Sequence, residues 1–228
     1  RQAHNLKVLG SNPSPATKIF MRRFKFYEKI INKFLKKKSH ILVVGAGKAD
    51  VEIFKKYKNI KFTNISKKTE LKKIDNKILM QDLPYSNQEF DYVITHASIH
   101  HSSKPHLAVL EMLRVAKIGI IFIESRDCLL TRLSCKIGLS EEYEFSAVKN
   151  NSGGVDDTGI PNFVYRWTER EVLKLVNSYK PLNKYKIYYD YDYDFKFLKN
   201  RLVNIFVYIF FLIFRNQKNL MSVFIKKN

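Results

Sequence analysis

Acidic residues are scarce in this chain: 21 Asp and Glu stand against 41 Lys and Arg over 228 residues, a net charge of +20. Cysteine is scarcer. Cys128 and Cys135 cannot build a disulfide scaffold, and a reduced, cytoplasmic setting is the expectation. Eight glycines and six prolines exclude a collagen-like or low-complexity chain. The longest apolar run, 202–214 (LVNIFVYIFFLIF), has 13 residues, short of the ~20 that span a bilayer. A packed or membrane-surface helix is expected there, bracketed by Arg201 and Arg215.

What is present, 45% hydrophobic residues and 27% charged, suits one globular domain with a sizeable core. Residues 1–20 show no periodicity, and Asn12-Pro13-Ser14-Pro15 is turn chemistry, so this stretch reads as a disordered tail with Met21 as the natural start. From Phe24 to Leu35 apolar residues recur at helical spacing. The run Ile41-Leu42-Val43-Val44 then enters Gly45-Ala46-Gly47, a buried strand meeting a glycine turn.

Alternation continues: a helix over Asp50 to Tyr57, and strands at 60–65, 78–80, 92–94 and 118–123. A helix runs from Pro105 to Lys117 with Leu107, Leu110 and Leu113 on one face. Beyond Glu124 a long connection leads to Thr168-Glu169-Arg170-Glu171, a capping box opening a helix to about Ser178. Strands are expected at 184–193 and 220–225. Strand–helix alternation predicts an α/β domain with a mostly parallel sheet covered on both faces.

The charge admits three partners: nucleic acid, an anionic membrane face or phosphorylated substrates. With 31 of the basic residues being lysine and Asn, Ile, Phe and Tyr plentiful, an A/T-rich coding sequence explains it equally well. No RNA-recognition module or aromatic stacking platform is visible, which weighs against nucleic acid.

A glycine turn between strand and helix lets backbone approach a ligand closely. The dinucleotide fingerprint needs a third glycine where Asp50 stands, and an acid there repels a pyrophosphate. Downstream come Asp82-Leu83-Pro84-Tyr85, Phe90-Asp91-Tyr92-Val93-Ile94, His100-His101 and Glu111 to Gly119, in one order with short spacings. Together with Ile41 to Ala49 and Asn64-Ile65-Ser66, this series resembles the class I S-adenosylmethionine-dependent methyltransferases of the type 11 group over residues 41–124. The chain departs from the pattern at Val43 and Asn64, where the family carries acids, at Ala49, where it carries glycine, and at Ile118, where it carries proline.

The resemblance implies a Rossmann-like, doubly wound sheet of seven strands, the last antiparallel, spanning 21–228, with core 41–124 and acceptor-side additions in 125–214. It implies S-adenosyl-L-methionine as cofactor and methyl transfer to a small-molecule acceptor, such as a glycan or lipid-linked precursor. Gly45, Ala46 and Gly47 would lie under the methionine part, Asn64 and Ile65 beside ribose and adenine, and Asp82 and Leu83 at the adenine amine. His96 would sit near the sulfonium. His96, His100 and His101 are the candidate general bases for a hydroxyl acceptor, with Glu124 and Asp127 behind them. Arg126, Arg132, Tyr165, Arg166 and Trp167 suit an anionic or planar acceptor. No metal is expected, since no cysteine joins the histidines. The competing reading is a degenerate, non-catalytic scaffold docking on anionic membrane or RNA.

Overall fold

All four residues of β1 (Ile41–Val44) are buried, as an unbroken apolar run requires of a strand covered on both faces. A computed structural model describes residues 15–66, 74–75, 77–148, 153–193, 205–206, 209–210 and 213–228. α1 (Pro15–Phe34) precedes β1, so residues 15–20 of the expected tail are helical, while 1–14 lie outside the described residues. After β1 come α2 (Lys48–Ile53), ending in a 3-10 turn at Phe54–Lys56, and then β2 (Ile60–Thr63).

The third strand corrects the expectation: β3 is Ile74–Asp75, and Ile78-Leu79-Met80 is not a strand. Next come β4 (Phe90–His96), α3 (Pro105–Val115) and β5 (Ala116–Ser125). They are followed by α4 (Leu129–Lys136), a hairpin of β6 (Tyr143–Glu144) and β7 (Asn162–Phe163), and α5 (Glu169–Tyr179). β8 (Tyr185–Asp192) and β9 (Leu220–Lys227) complete the chain.

The seven-stranded sheet runs β3-β2-β1-β4-β5-β9-β8. β1 pairs in parallel with β2 and β4, and β4 with β5. β9 lies antiparallel between β5 and β8, so the last strand is reversed as expected. Strand pleating sends alternate residues to opposite faces. Ile41, Val43, Ile94 and Ile121 meet Tyr27, Ile30 and Ile31 of α1. Leu42, Val44, Val93 and Ile120 meet Met112 and Leu113 of α3 and Val172 and Val176 of α5. On α3, Leu107 departs from the expected stripe and is exposed.

Only half of the capping box forms. Thr168 Oγ1 accepts the Glu171 N–H at 3.1 Å, but the Glu171 carboxylate takes His106 Nε2 at 2.7 Å and the Tyr165 hydroxyl instead. Thr168→Ala should cost about 1 kcal/mol and lower the melting temperature by about 2–4 °C, measurable by circular dichroism. Trp167, fully buried, packs against Phe122 at 5.4 Å. Of the described residues in 202–214, Ile205, Phe206, Ile209, Ile213 and Phe214 are exposed and Phe210 is half-buried. Among the described residues no helix is long and apolar enough to cross a membrane.

Candidate active site

The carboxyl ends of β1, β2 and β4 open on a cleft of about 640 Å³, a volume within the usual range of small-molecule sites. At the end of β1 the chain turns through Gly45 at φ +69°, a conformation that favours glycine. A Cβ there would stand 2.5 Å from Ser98 Cβ and 3.3 Å from Met80 Cε, so the approach between the two loops depends on its absence. Gly47 follows, its N–H donating to Asp50 Oδ2 at 2.8 Å. Asp50 Oδ1 accepts the Tyr27 hydroxyl at 2.8 Å. Asp50 is 4% exposed yet lines the cleft, and burial holds its carboxyl above the usual range despite these hydrogen bonds.

Asn64 ends β2 with both amide atoms engaged. Nδ2 donates to the Ala46 carbonyl at 2.7 Å, and Oδ1 accepts the Ser66 N–H at 2.9 Å. It ties the glycine loop to the second strand. Ala46 itself is buried in the core behind that loop. Ile65 and Ser66 line the cleft, facing a wall made of Ile78, Leu79, Met80 and Gln81. Here the structure corrects the sequence reading. The turn closed by Asp82 N–H to Leu79 carbonyl (3.1 Å) leaves Asp82 exposed and off the cleft lining. Leu83 is buried in the core, its N–H donating to Glu111 Oε2 at 3.0 Å. Gln81 stands on the cleft wall instead, its Oε1 accepting the Ser102 hydroxyl at 2.7 Å.

The three histidines have three different environments. His96, at the end of β4, stacks on Tyr27 at 4.5 Å and accepts Arg23 Nε at 3.2 Å through Nε2. Burial and the Arg23 charge push its pKa down to about 3. Ala97 then turns at φ +51°, and a 3-10 turn spans Ile99–His101. Glu124, fully buried at the end of β5, braces that turn: Oε1 accepts the Ser98 and Ile99 N–H groups at 2.8 Å each, and Oε2 meets His100 Nδ1 at 2.8 Å. Burial disfavours the His100 cation, but Glu124 and Glu144 outweigh it and push its pKa up to about 9. His101 lines the cleft, with burial and the neighbouring His100 lowering its pKa. So His101 is on the wall as a neutral base, His96 is there with one nitrogen occupied, and His100 is a cation behind the wall.

A segment of the long connection closes the far side with Ala147, Gly153, Gly154, Asp156 and Asp157. Asp156 Oδ1 accepts Gln81 Nε2 at 3.1 Å, and Asp157 Oδ1 accepts the Gly153 N–H at 2.7 Å. Sequence reasoning singled out none of Arg23, Tyr27, Gln81 and Glu144 as site residues, while the closing segment falls within the acceptor-side additions expected over 125–214. A signal existed only for Gln81, one position before the Asp-Leu-Pro motif. Of the groups suggested for an acceptor, Arg126 pairs with Glu169 at 2.8 Å and Arg132 with Asp127 at 2.8 Å.

Among the described residues the cleft lining contains Asp50, Asp156 and Asp157 and no lysine or arginine, although the chain carries a net charge of +20. These carboxylates suit a cationic ligand.

Residues 44–123 match the methyltransferase domain family of type 11. Among curated proteins, no sequence matches the chain. Among solved structures, a SAM-dependent methyltransferase of Methanosarcina mazei is 19% identical, with 87% of this chain and 96% of that one covered and a TM-score of 0.51. The magnesium protoporphyrin IX methyltransferase of Synechocystis PCC 6803, with bound SAH, is 10% identical over 96% and 90% of the two chains, with a TM-score of 0.57. An S-adenosylmethionine-dependent methyltransferase of Mesorhizobium loti is 8% identical over 87% and 96%, with a TM-score of 0.52. At these identities the likeness is one of fold. The order of strands around the reversed β9, the glycine turn above β1 and the match over 44–123 agree: residues 44–123 carry the match to a methyltransferase domain of the type 11 family, set in a sheet with the fold of these methyltransferase structures.

Proposed function

We propose that the protein transfers a methyl group from S-adenosylmethionine to a small amphiphilic acceptor, lipid-linked in character, presented at the carboxyl edge of the sheet. The observation that carries the cofactor half is the lining of the cleft: carboxylates, with no lysine or arginine among the described lining residues of a strongly basic chain. The cofactor bears an ammonium and a sulfonium against one carboxylate, a net positive charge that this lining attracts. The cradle at Gly45, which a Cβ would fill, also fits the group.

In this reading Gly45 and Gly47 pass under the methionine part. Asp50, held by Tyr27 and the Gly47 N–H, supplies the negative charge that Val43 does not. Ile65 and Leu79 provide apolar walls for the adenine, and Gln81 takes the edge assigned from sequence to Asp82. Asn64 is spent on the loop, so the ribose is held less firmly than an acid would hold it.

When bound, S-adenosylmethionine supplies an electrophilic methyl group for in-line displacement, which depends chiefly on alignment. His101, neutral and on the wall, is the group placed to take the proton of a hydroxyl acceptor. His96, its Nε2 already accepting from Arg23, orients the wall instead.

The acceptor half rests on exposed apolar side chains. Leu129 and Leu133 of α4, then Ile137 and Leu139, are exposed, as are Ile205, Phe206, Ile209, Ile213 and Phe214. α4 follows the end of β5, and 205–214 precedes the start of β9, whose Leu220 pairs with Ser125. Both apolar stretches therefore flank the edge on which the cleft opens. Residues 125–214 thus serve as the acceptor-side additions to a core of 41–124. With methyl-labelled cofactor and fractionated extract, label should enter the lipid-extractable small-molecule fraction. Leu129→Glu/Leu133→Glu should lower that incorporation several-fold while leaving cofactor affinity unchanged in calorimetry. Label entering RNA or protein instead would overturn the acceptor assignment.

A further inference from the structure

The wall of the cleft opposite the glycine loop leads into a second cluster. His100 and His101 stand side by side, ring centroids 4.5 Å apart, and the β6–β7 hairpin brings Glu144 against both. Glu144 Oε2 lies 3.6 Å from His100 Nε2 and 3.7 Å from His101 Nε2, and the donor atoms of all three residues lie within 4.8 Å of one another. An ion with bonds of about 2.0–2.1 Å asks for donor atoms roughly 3.3 Å apart. The two Glu144 distances need to close by only a few tenths of an ångström.

The groups behind the donors fit the same purpose. A metal-binding imidazole is normally fixed by a hydrogen bond from its other nitrogen to a carboxylate or a backbone carbonyl. His100 Nδ1 is held by the buried Glu124 at 2.8 Å. Asn162, fully buried on β7, adds an independent sign. Its Nδ2 donates to Glu144 Oε2 at 3.3 Å, while its Oδ1 is buried with no hydrogen-bond partner among the described residues.

We propose that His100, His101 and Glu144 form a binding site for one divalent transition-metal ion, zinc by preference. Two imidazoles with a carboxylate and no thiolate are a donor set for Zn²⁺ or Co²⁺, whereas Mg²⁺ and Ca²⁺ prefer oxygen throughout. Three protein ligands leave a coordination position for an oxygen donor, and His101 places the site at the cleft. With the metal bound, His100 has released its Nε2 proton to solvent, and His101 is a ligand and no longer the proton acceptor. Metal binding itself does not rest on the methyltransferase reading, and cofactor affinity measured on the same sample separates the two.

The untagged full-length chain, stripped with EDTA and desalted, is titrated with ZnCl₂ by calorimetry, and with CoCl₂ by visible absorption. One Zn²⁺ per chain is expected, with d–d bands on Co²⁺ addition. Glu144→Gln and His101→Asn should each weaken binding by more than the roughly 10–100-fold that loss of an orienting partner costs. His40→Ala, whose ring meets the Glu89 carbonyl and the Phe90 ring and lies outside the cluster, should bind as the parent does. Circular dichroism establishes that each variant is folded. If both ligand variants fail to fold, the Co²⁺ bands of the parent decide. A parent chain that takes up no metal, or folded ligand variants that bind as tightly as the parent, would show the cluster to be an ion pair only and overturn the proposal.

Discussion

Gly45→Ala should weaken S-adenosylmethionine binding by about 100-fold or more. Gly45 combines two constraints that a side chain cannot meet together. Its φ of +69° is costly for an L residue, typically 1–3 kcal/mol. The added Cβ would also lie 2.5 Å from Ser98 Cβ and 2.6 Å from Ser98 Oγ. Ser98 cannot move away freely, because its N–H is held by Glu124 and its hydroxyl donates to the Gly45 carbonyl at 2.9 Å. The clash therefore displaces the glycine loop into the cleft, where the methionine end is proposed to lie. Isothermal calorimetry with S-adenosylmethionine and S-adenosylhomocysteine measures the loss. Adding Ser98→Gly should recover part of it, since that removes the collision but not the backbone strain. A non-additive double-mutant cycle is the signature of two groups in contact. Unchanged affinity in Gly45→Ala would remove the loop from the cofactor site.

The apolar strands were legible because burial on both faces leaves an unbroken hydrophobic run, as at Ile41–Val44 and in Ile120 to Ile123 of β5. The third strand was misplaced for a physical reason. Ile78, Leu79 and Met80 are apolar because they wall a cleft, whereas β3 proper is two residues, too short to show a period. Asp82 was misread because spacing along the chain does not reveal which way a tight turn points. The bond from its N–H to Leu79 sends the side chain to solvent. Asp50 was recognised as hostile to phosphate, but its use could not be read, since Tyr27 lies 23 positions upstream on another element. Glu144 was invisible for the same reason: a short hairpin carries it to histidines more than forty positions earlier in the chain.

The largest stability effect is expected at Glu124. This carboxylate, fully buried, holds three donors at 2.8 Å: the Ser98 and Ile99 N–H groups and His100 Nδ1. Burial alone would raise its pKa, yet the His100 charge and these hydrogen bonds keep it low, so the carboxylate is charged within the core. Glu124→Ala leaves two orphan amides and a histidine without its nearest counter-charge. Breaking a buried pair in this way costs about 3–5 kcal/mol, or a fall in melting temperature of roughly 6–20 °C for a chain of this size. Glu124→Gln retains an acceptor oxygen for the amides but loses the charge, so it should fall between the parent and Glu124→Ala. Denaturant unfolding of the three chains in the presence of EDTA checks the order. The turn braced by Glu124 presents Ser98 to Gly45 and His101 to the cleft. Glu124→Gln, where folded, should therefore also bind S-adenosylmethionine more weakly than the parent. Equal stability in all three chains would mean that the network of hydrogen bonds around Glu124 contributes nothing net to the fold, contrary to what its complete burial requires.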